Sequence, residues 1–182
     1  YLIDHTERSI QHCISSPIQR CVDTAALMIE GADRTHKVVN THTIEIVEQR
    51  LLVEPGSFVL DIQQAAPYFR KQGALGFINS FVNNALPGMK HPITGVFDVL
   101  ELLYHTHPTQ HNGLSLAVSH DTILAAIVAV ISGNKQIEQS DWPDMMEGLF
   151  VWFEGEDFSN SKLKWIWRGQ KHELVIKDFQ NK

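Results

Sequence analysis

Two segments of this chain have the pattern of a short apolar strand followed directly by a helix, and they lie about a hundred residues apart. The first is SSPIQRC at residues 15–21, and the second is SHDT at residues 119–122. In an open parallel sheet such strands end at one edge, where helix N-termini offer unpaired N–H groups to anions. The pattern predicts an α/β fold in which Arg20 comes from one junction and His120 and Asp121 from the other.

The composition is that of one globular domain. The chain has 182 residues, of which 43% are hydrophobic and 20% charged, as is ordinary for a domain of this size. Its formal net charge of −6 argues against a nucleic-acid partner, because such partners need a clustered basic surface. The longest apolar stretch, residues 123–131, is about half the length of a membrane span, so we expect no span in this portion.

Apolar periodicity and turn residues predict the elements of the first third of the chain. A strand is expected over residues 12–15 and a helix over 17–31, with Ser16 as its N-cap and Gly31 as its C-cap. Farther on, we expect a short helix over residues 43–49. A buried strand over residues 51–53 would then place Glu54 at a strand end.

The rest of the chain predicts a three-layer α/β/α domain with a mainly parallel sheet. Residues 61–95 have an interrupted helical pattern, which indicates an inserted helical cap over the sheet. A strand over residues 114–118 leads into a helix over 123–132. After Pro143, apolar and polar residues alternate, as is typical of antiparallel strands at the C-terminal edge of a sheet.

Both junctions resemble motifs of the histidine phosphatase superfamily, which includes phosphoglycerate mutases and acid phosphatases. SSPIQRCVDTA at residues 15–25 resembles the family's second motif, and LAVSHDTILAA at 116–126 resembles its closing motif. The likeness extends over residues 1–182, which would form one incomplete phosphatase-like domain. It implies hydrolysis of a small-molecule or protein phosphomonoester, with Arg20 and His120 binding the phosphate and with no metal or cofactor.

The Arg-His-Gly motif that carries the family's phosphate-accepting histidine does not occur in this sequence. In the family this motif lies well upstream of the second motif, and here only fourteen residues precede Ser15. We therefore expect the nucleophilic histidine upstream of Tyr1. A chain without it is expected to have an impaired or inactive site.

Two carboxyls are candidates for the general acid that protonates the leaving group. Asp121 directly follows His120, as in the acid phosphatase branch, whereas Glu54 in LVEPGSF resembles the acidic position of the mutase-like branch. The adjacent His-Asp pair is the more specific pattern and favours Asp121. Two alternatives to a phosphatase stay open, a phosphoglycerate mutase-type transferase and a non-catalytic module that binds phosphorylated ligands.

Other residues that carry chemistry elsewhere have simpler interpretations here. Three histidines, His105, His107 and His111, lie in a polar segment that favours exposed side chains over a zinc site. Cys13 and Cys21 are expected to be buried thiols, since two cysteines make no disulfide framework. The four tryptophans, Trp142, Trp152, Trp165 and Trp167, are expected to pack in the core or along edge strands.

Overall fold

A parallel sheet places the two strand-to-helix junctions side by side. In the computed structural model its central strand is β1 (Ser9–Ser15), with β2 (Ile46–Glu48) on one side and β3 (Gly113–Val118) on the other. Ser15 lies opposite both Glu48 and Val118, so all three strands end at the same edge. The structure describes residues 8–35, 44–54, 56–108 and 112–180.

The chain leaves β1 and β3 at one point of that edge. The backbone N–H of Ser16 donates to the carbonyl of Val118 at 2.8 Å, which extends the pairing by one residue beyond β1. Ser16 and Ser119 therefore start their connections to the following helices from neighbouring positions. The expected α/β fold is confirmed, with helices and a parallel sheet in one chain.

Helix α1 (Gln19–Thr35) follows β1 and packs on the sheet through Ala25 and Ile29, which are buried against Cys13. It begins two residues later than expected, so Ser16 lies before the helix and is free for another role. It also continues past Gly31, where we expected it to end. Gly31 is exposed, and a β-carbon there would have no neighbour within 4 Å.

The segment before Glu54 differs from the expectation in two ways. Residues 46–48 form strand β2 instead of a helix, because they pair with residues 13–15 of β1. Pairing across the sheet outweighs a local helical pattern in so short a segment. The expected buried strand is a 3₁₀ turn, Arg50–Leu52, in which Leu52 is buried. Glu54 therefore follows a turn and not a strand.

Helix α2 (Ile62–Val82) covers most of the predicted helical insertion, and α3 (Pro92–His105) begins within it. The Asp61 carboxylate caps α2 by accepting from the N–H groups of the second and third helical residues. The helix bends at Gly73, whose φ of 68° and ψ of −179° are not helical. Its second half enters the main core with four side chains of at most 1% exposure: Phe77, Ile78, Phe81 and Val82.

Helix α4 (Asp121–Ser132) follows β3 as predicted and ends at Gly133, whose φ of 72° suits a left-handed C-cap. The C-terminal region then adds three antiparallel strands and a short helix: β4 (Phe150–Glu154), β5 (Lys162–Trp167), β6 (Gln170–Val175) and α5 (Ile176–Gln180). Their antiparallel pairing is confirmed. In the described part of the chain they form a sheet of their own and do not extend the parallel one.

None of the helices in the described ranges has both the length and the apolar character that crossing a membrane requires.

Close packing at Gly95 of α3 gives a first prediction. A β-carbon there would lie 2.7 Å from Cδ1 of Phe58, and this ring is fixed by stacking on Phe81 at 4.7 Å. Overpacking a core costs about 1–3 kcal/mol, which exceeds the gain of about 1 kcal/mol in helix propensity. We expect Gly95→Ala to lower the free energy of unfolding measured by chemical denaturation.

Gly31→Ala in α1 is the matched control, because no atom lies within 4 Å of its β-carbon position. It should raise the free energy of unfolding by up to about 1 kcal/mol. Equal stabilisation by both substitutions would show that Phe58 yields without cost.

Candidate functional site

Arg20 and His120 meet at the edge of the parallel sheet, although 100 residues separate them in the chain. Nη2 of Arg20 lies 2.9 Å from Nδ1 of His120. Arg20 stands in the first turn of α1, and His120 is the N-cap residue of α4. The parallel pairing of β1 with β3 positions both helices, so the contact follows directly from the topology.

The contact with Arg20 determines where His120 carries its proton. A guanidinium has only donors, so Nδ1 of His120 must accept, and the neutral ring then carries its proton on Nε2. Nε2 lies 2.9 Å from Oγ of Ser16 and donates to it. Burial, and then the charge of Arg20, lower the pKa of His120, while Asp121 raises it. The imidazole is therefore held neutral in a single tautomer.

Ser16 is the residue that holds the protonated side of the ring. It is fully buried, and its hydroxyl oxygen also accepts from the backbone N–H of Ile18 at 3.4 Å. Sequence reasoning assigned Ser16 to capping the helix, so its bond to His120 was missed. The feature of the sequence that could have predicted this bond is the position of Ser16 directly after the end of β1, which lies beside the end of β3.

Glu54 completes the group of charged side chains around His120. Its Oε2 atom lies 3.6 Å from Nδ1 of His120 and 3.8 Å from Nη2 of Arg20. The preceding turn is tied to the sheet edge, because the Ser119 hydroxyl donates to the carbonyl of Leu52 at 2.8 Å. Burial, and then the charge of Asp121, raise the pKa of Glu54, while the side chain of Thr122 and then the charge of Arg20 oppose that rise.

Asp121 lies at the start of α4 with both carboxylate oxygens occupied. Oδ1 accepts from the N–H of Thr122 at 2.9 Å, and Oδ2 accepts from Nε1 of Trp142, also at 2.9 Å. We expected Trp142 to be a packing residue, and nothing in the sequence links positions 121 and 142. The indole therefore adds to the site a contact that sequence reasoning missed.

Cys21 lies beside His120, with Sγ 3.8 Å from Nε2. Its thiol donates to the carbonyl of Ser119 at 3.6 Å. Burial is the main cause that raises the pKa of Cys21, and burial also raises that of Cys13. Both are buried free thiols, as predicted, and a neutral thiol is a poor nucleophile. Cys21 thus packs against the imidazole.

The histidine cluster lies elsewhere. His105 and His107 are exposed at the end of α3, and both rings contact Tyr104. Nδ1 of His107 also hydrogen-bonds the carbonyl of Tyr104. His111 lies outside the described residues. Within the described ranges, no three His, Cys, Asp or Glu side chains are grouped closely enough to hold a metal ion.

No known family model matches this chain, and a search of curated proteins finds no significant match. Function therefore rests on the chemistry of the site. That site combines one guanidinium, one neutral imidazole and two carboxyls around the ends of two parallel strands.

The lowered pKa of His120 has a measurable cause in Arg20. Replacing Arg20 with Met removes the neighbouring cation, so we expect the pKa of His120 to rise toward its ordinary value. Nitrogen chemical shifts of the ring, followed by NMR against pH, measure this change. In the unaltered chain the same spectra should show Nε2 protonated and Nδ1 unprotonated at neutral pH.

The lowered pKa of His120 should also make the stability of the protein depend on pH. As pH falls below about 6.5, the unfolded chain protonates this histidine while the folded chain does not, so stability is lost until the folded pKa is reached. The loss, measured by chemical denaturation, should be smaller in Arg20→Met than in Arg70→Met, which removes an exposed arginine on α2. Equal losses in the two variants would contradict the coupling.

Proposed function

We propose that this chain carries the phosphate-binding part of a phosphomonoester hydrolase that works through a phosphohistidine. The observation that carries the proposal is the contact of Arg20 with His120 beside Glu54. A guanidinium offers five N–H donors in a planar arrangement that matches phosphate oxygens. The Arg20 side chain is 69% exposed, so its donors are accessible to a ligand.

The charges of the site support a role for a protonated carboxyl. With His120 neutral, the formal charges of Arg20, Glu54 and Asp121 sum to −1, which repels an anion. Protonation of Glu54 would bring the sum to zero, and its raised pKa favours that state. Binding of a phosphate and protonation of Glu54 therefore support each other.

Anion binding should also change the proton on His120. Nδ1 now accepts from Arg20, so it has no proton to donate to a phosphate oxygen. If Arg20 turns its guanidinium to the phosphate, Nδ1 loses this donor and can take up a proton. A protonated imidazole then gives the anion an additional charged contact. Binding by this route takes up protons from solution.

The chemical step follows from this arrangement. A ring nitrogen of the accepting histidine, which we place in a segment preceding Tyr1, attacks phosphorus while the ester P–O bond breaks. The leaving alkoxide takes the proton of a carboxyl. Water then attacks phosphorus, the P–N bond breaks, and the carboxylate recovers a proton from that water. Arg20 and His120 neutralise the equatorial oxygens in both steps.

The surroundings of the two carboxyls support Glu54 as the proton donor, whereas the sequence favoured Asp121. Glu54 is partly buried beside a like charge, and both raise the pKa of its carboxyl, as a general acid requires. Both carboxylate oxygens of Asp121 already accept from N–H donors, of Thr122 and of Trp142. In this proposal Asp121 supplies the charge that helps Glu54 to keep its proton.

The second candidate is a module that binds phosphorylated ligands without turnover. The observation in its favour is that the sequence contains no Arg-His-Gly. Both functions need Arg20 and His120 to hold the anion, but only the hydrolase forms a phosphohistidine. Phosphorus NMR of the protein including any segment before Tyr1, mixed with a phosphomonoester, separates the two candidates.

Sulfate binding tests the anion site without a nucleophile. Sulfate keeps its charge across neutral pH, so any pH dependence belongs to the protein. We expect affinity, measured by NMR titration, to rise as pH falls. Arg20→Met should weaken binding about tenfold to a hundredfold, because it removes a charge-assisted bond worth about 1.5–3 kcal/mol.

Arg20→Lys should restore only part of that affinity, since an ammonium lacks the planar arrangement of donors. Arg70→Met is the control and should bind sulfate as the unaltered chain does. Equal weakening by Arg70→Met and Arg20→Met would mean that sulfate responds to overall charge and not to this site.

Paired substrates identify the general acid. An alkyl phosphate needs a proton on its leaving group, whereas p-nitrophenyl phosphate needs it far less. In the protein including any segment before Tyr1, we expect Glu54→Gln to lower kcat on the alkyl ester about 10²–10⁴-fold and to affect the nitrophenyl ester much less.

Asp121→Asn should keep activity on the alkyl ester. Activity falls as pH rises, and in this variant the fall should occur at a lower pH. The reason is that removing a like charge lowers the pKa of Glu54. A selective loss on the alkyl ester in Asp121→Asn, and not in Glu54→Gln, would instead make Asp121 the acid.

A further inference from the structure

We infer that Arg168, in the turn between β5 and β6, is a positioning residue that fixes Asp121 through Trp142. Its meaning for catalysis rests on the proposed hydrolase. The contacts themselves do not depend on that proposal. They form a continuous series from the antiparallel sheet to the candidate site.

Arg168 uses each of its three nitrogens in the turn. Nε and Nη2 donate to the two carboxylate oxygens of Glu147 at 2.8 and 2.9 Å. Nη1 donates to the carbonyl of Ser140 at 2.6 Å, and Nη2 also donates to the carbonyl of Trp142 at 3.0 Å. The guanidinium carbon lies 5.1 Å from the centre of the Trp167 ring. One side chain thus holds three points of the segment 140–147.

The backbone of Arg168 has a left-handed conformation that is unfavourable for most residues other than glycine. Its φ is 47° and that of Gly169 is 77°, which fits a two-residue hairpin turn with both residues left-handed. Asparagine followed by glycine is the favoured pair in such a turn, and most other residues are strained at the first position. An arginine there has an unfavourable backbone conformation, while its side chain makes hydrogen bonds that hold residues 140–147 in place.

Trp142 connects the segment held by Arg168 to the candidate site. Its carbonyl is held by Arg168, and its indole N–H is bonded to Oδ2 of Asp121. The other oxygen of Asp121 is held by the N–H of Thr122. With both oxygens held, the carboxylate has one orientation.

The fixed carboxylate acts on two titratable groups of the site, Glu54 and His120. Glu54 follows the 3₁₀ turn, Arg20 lies on α1 and His120 precedes α4. Asp121 raises the pKa of Glu54 and also that of His120. A carboxylate that turns toward solvent would be screened from both. The turn between β5 and β6 thereby influences how readily Glu54 keeps its proton.

Arg168→Asn is the sharpest test, because asparagine suits the left-handed turn while the side-chain contacts are lost. We expect the turn between β5 and β6 to form at least as readily in this variant as in the unaltered chain. The resonance of the Trp142 indole N–H should shift, because its bond to Asp121 weakens or is lost. The pKa of Glu54, measured from its carboxyl carbon by NMR, should fall toward its ordinary value.

Trp142→Phe removes the indole donor directly and should lower the pKa of Glu54 in the same way. Trp152→Phe is the matched control, since Nε1 of Trp152 bonds a carboxylate oxygen of Glu154 at 3.3 Å in β4. It should leave the titration of Glu54 unchanged. If Arg168→Asn does not fold, Trp142→Phe alone decides.

An unchanged titration of Glu54 in Trp142→Phe would overturn the inference, as would an unchanged indole resonance in folded Arg168→Asn. The titrations need neither substrate nor anion, so an inactive chain still gives a result. If sulfate binding fails while Glu54 responds to Trp142→Phe, the proposed hydrolase is wrong and the positioning stands. If sulfate binds but Glu54 does not respond to Trp142→Phe, the positioning role of Arg168 is wrong and the anion site stands.

Discussion

The hydrogen bond from Arg20 to Nδ1 of His120 determines the state of the whole site. Because arginine only donates, this bond keeps the imidazole neutral and directs its proton to Ser16. The guanidinium also lies within 4 Å of Glu54, so it touches both groups whose protons change in the proposed reaction. An anion that competes for Arg20 would therefore alter the ring and the carboxyl together.

The two carboxyls are the same kind of group in different surroundings. Glu54 is partly buried and faces a like charge, whereas Asp121 is exposed and accepts from two N–H groups. A proton-transfer site needs such a difference between the surroundings of its two carboxyls. The structure supplies this difference through the indole of Trp142 and a backbone amide, which both donate to Asp121.

The sequence predicted the elements whose rules are local. The junctions at Arg20 and His120 combine an apolar strand with helix-start residues, and both the strands and α4 lie where expected. The helix predicted over residues 43–49 was wrong, because residues 46–48 become a strand only through pairing with β1. Trp142 bonds a carboxylate 21 positions away. A contact between the first residue of a helix and a distant loop follows no periodicity, so no pattern in the sequence predicts it.

The parallel pairing of β1 with β3 also bears on how the protein is made. Closing a loop of 100 residues costs about 4 kcal/mol of chain entropy, and such long-range pairing forms slowly. During synthesis, Arg20 leaves the ribosome about a hundred residues before its partner His120, and Trp142 follows later still. No nascent fragment that stops before α4 holds both junctions, so the contact of Arg20 with His120 can form only late in synthesis.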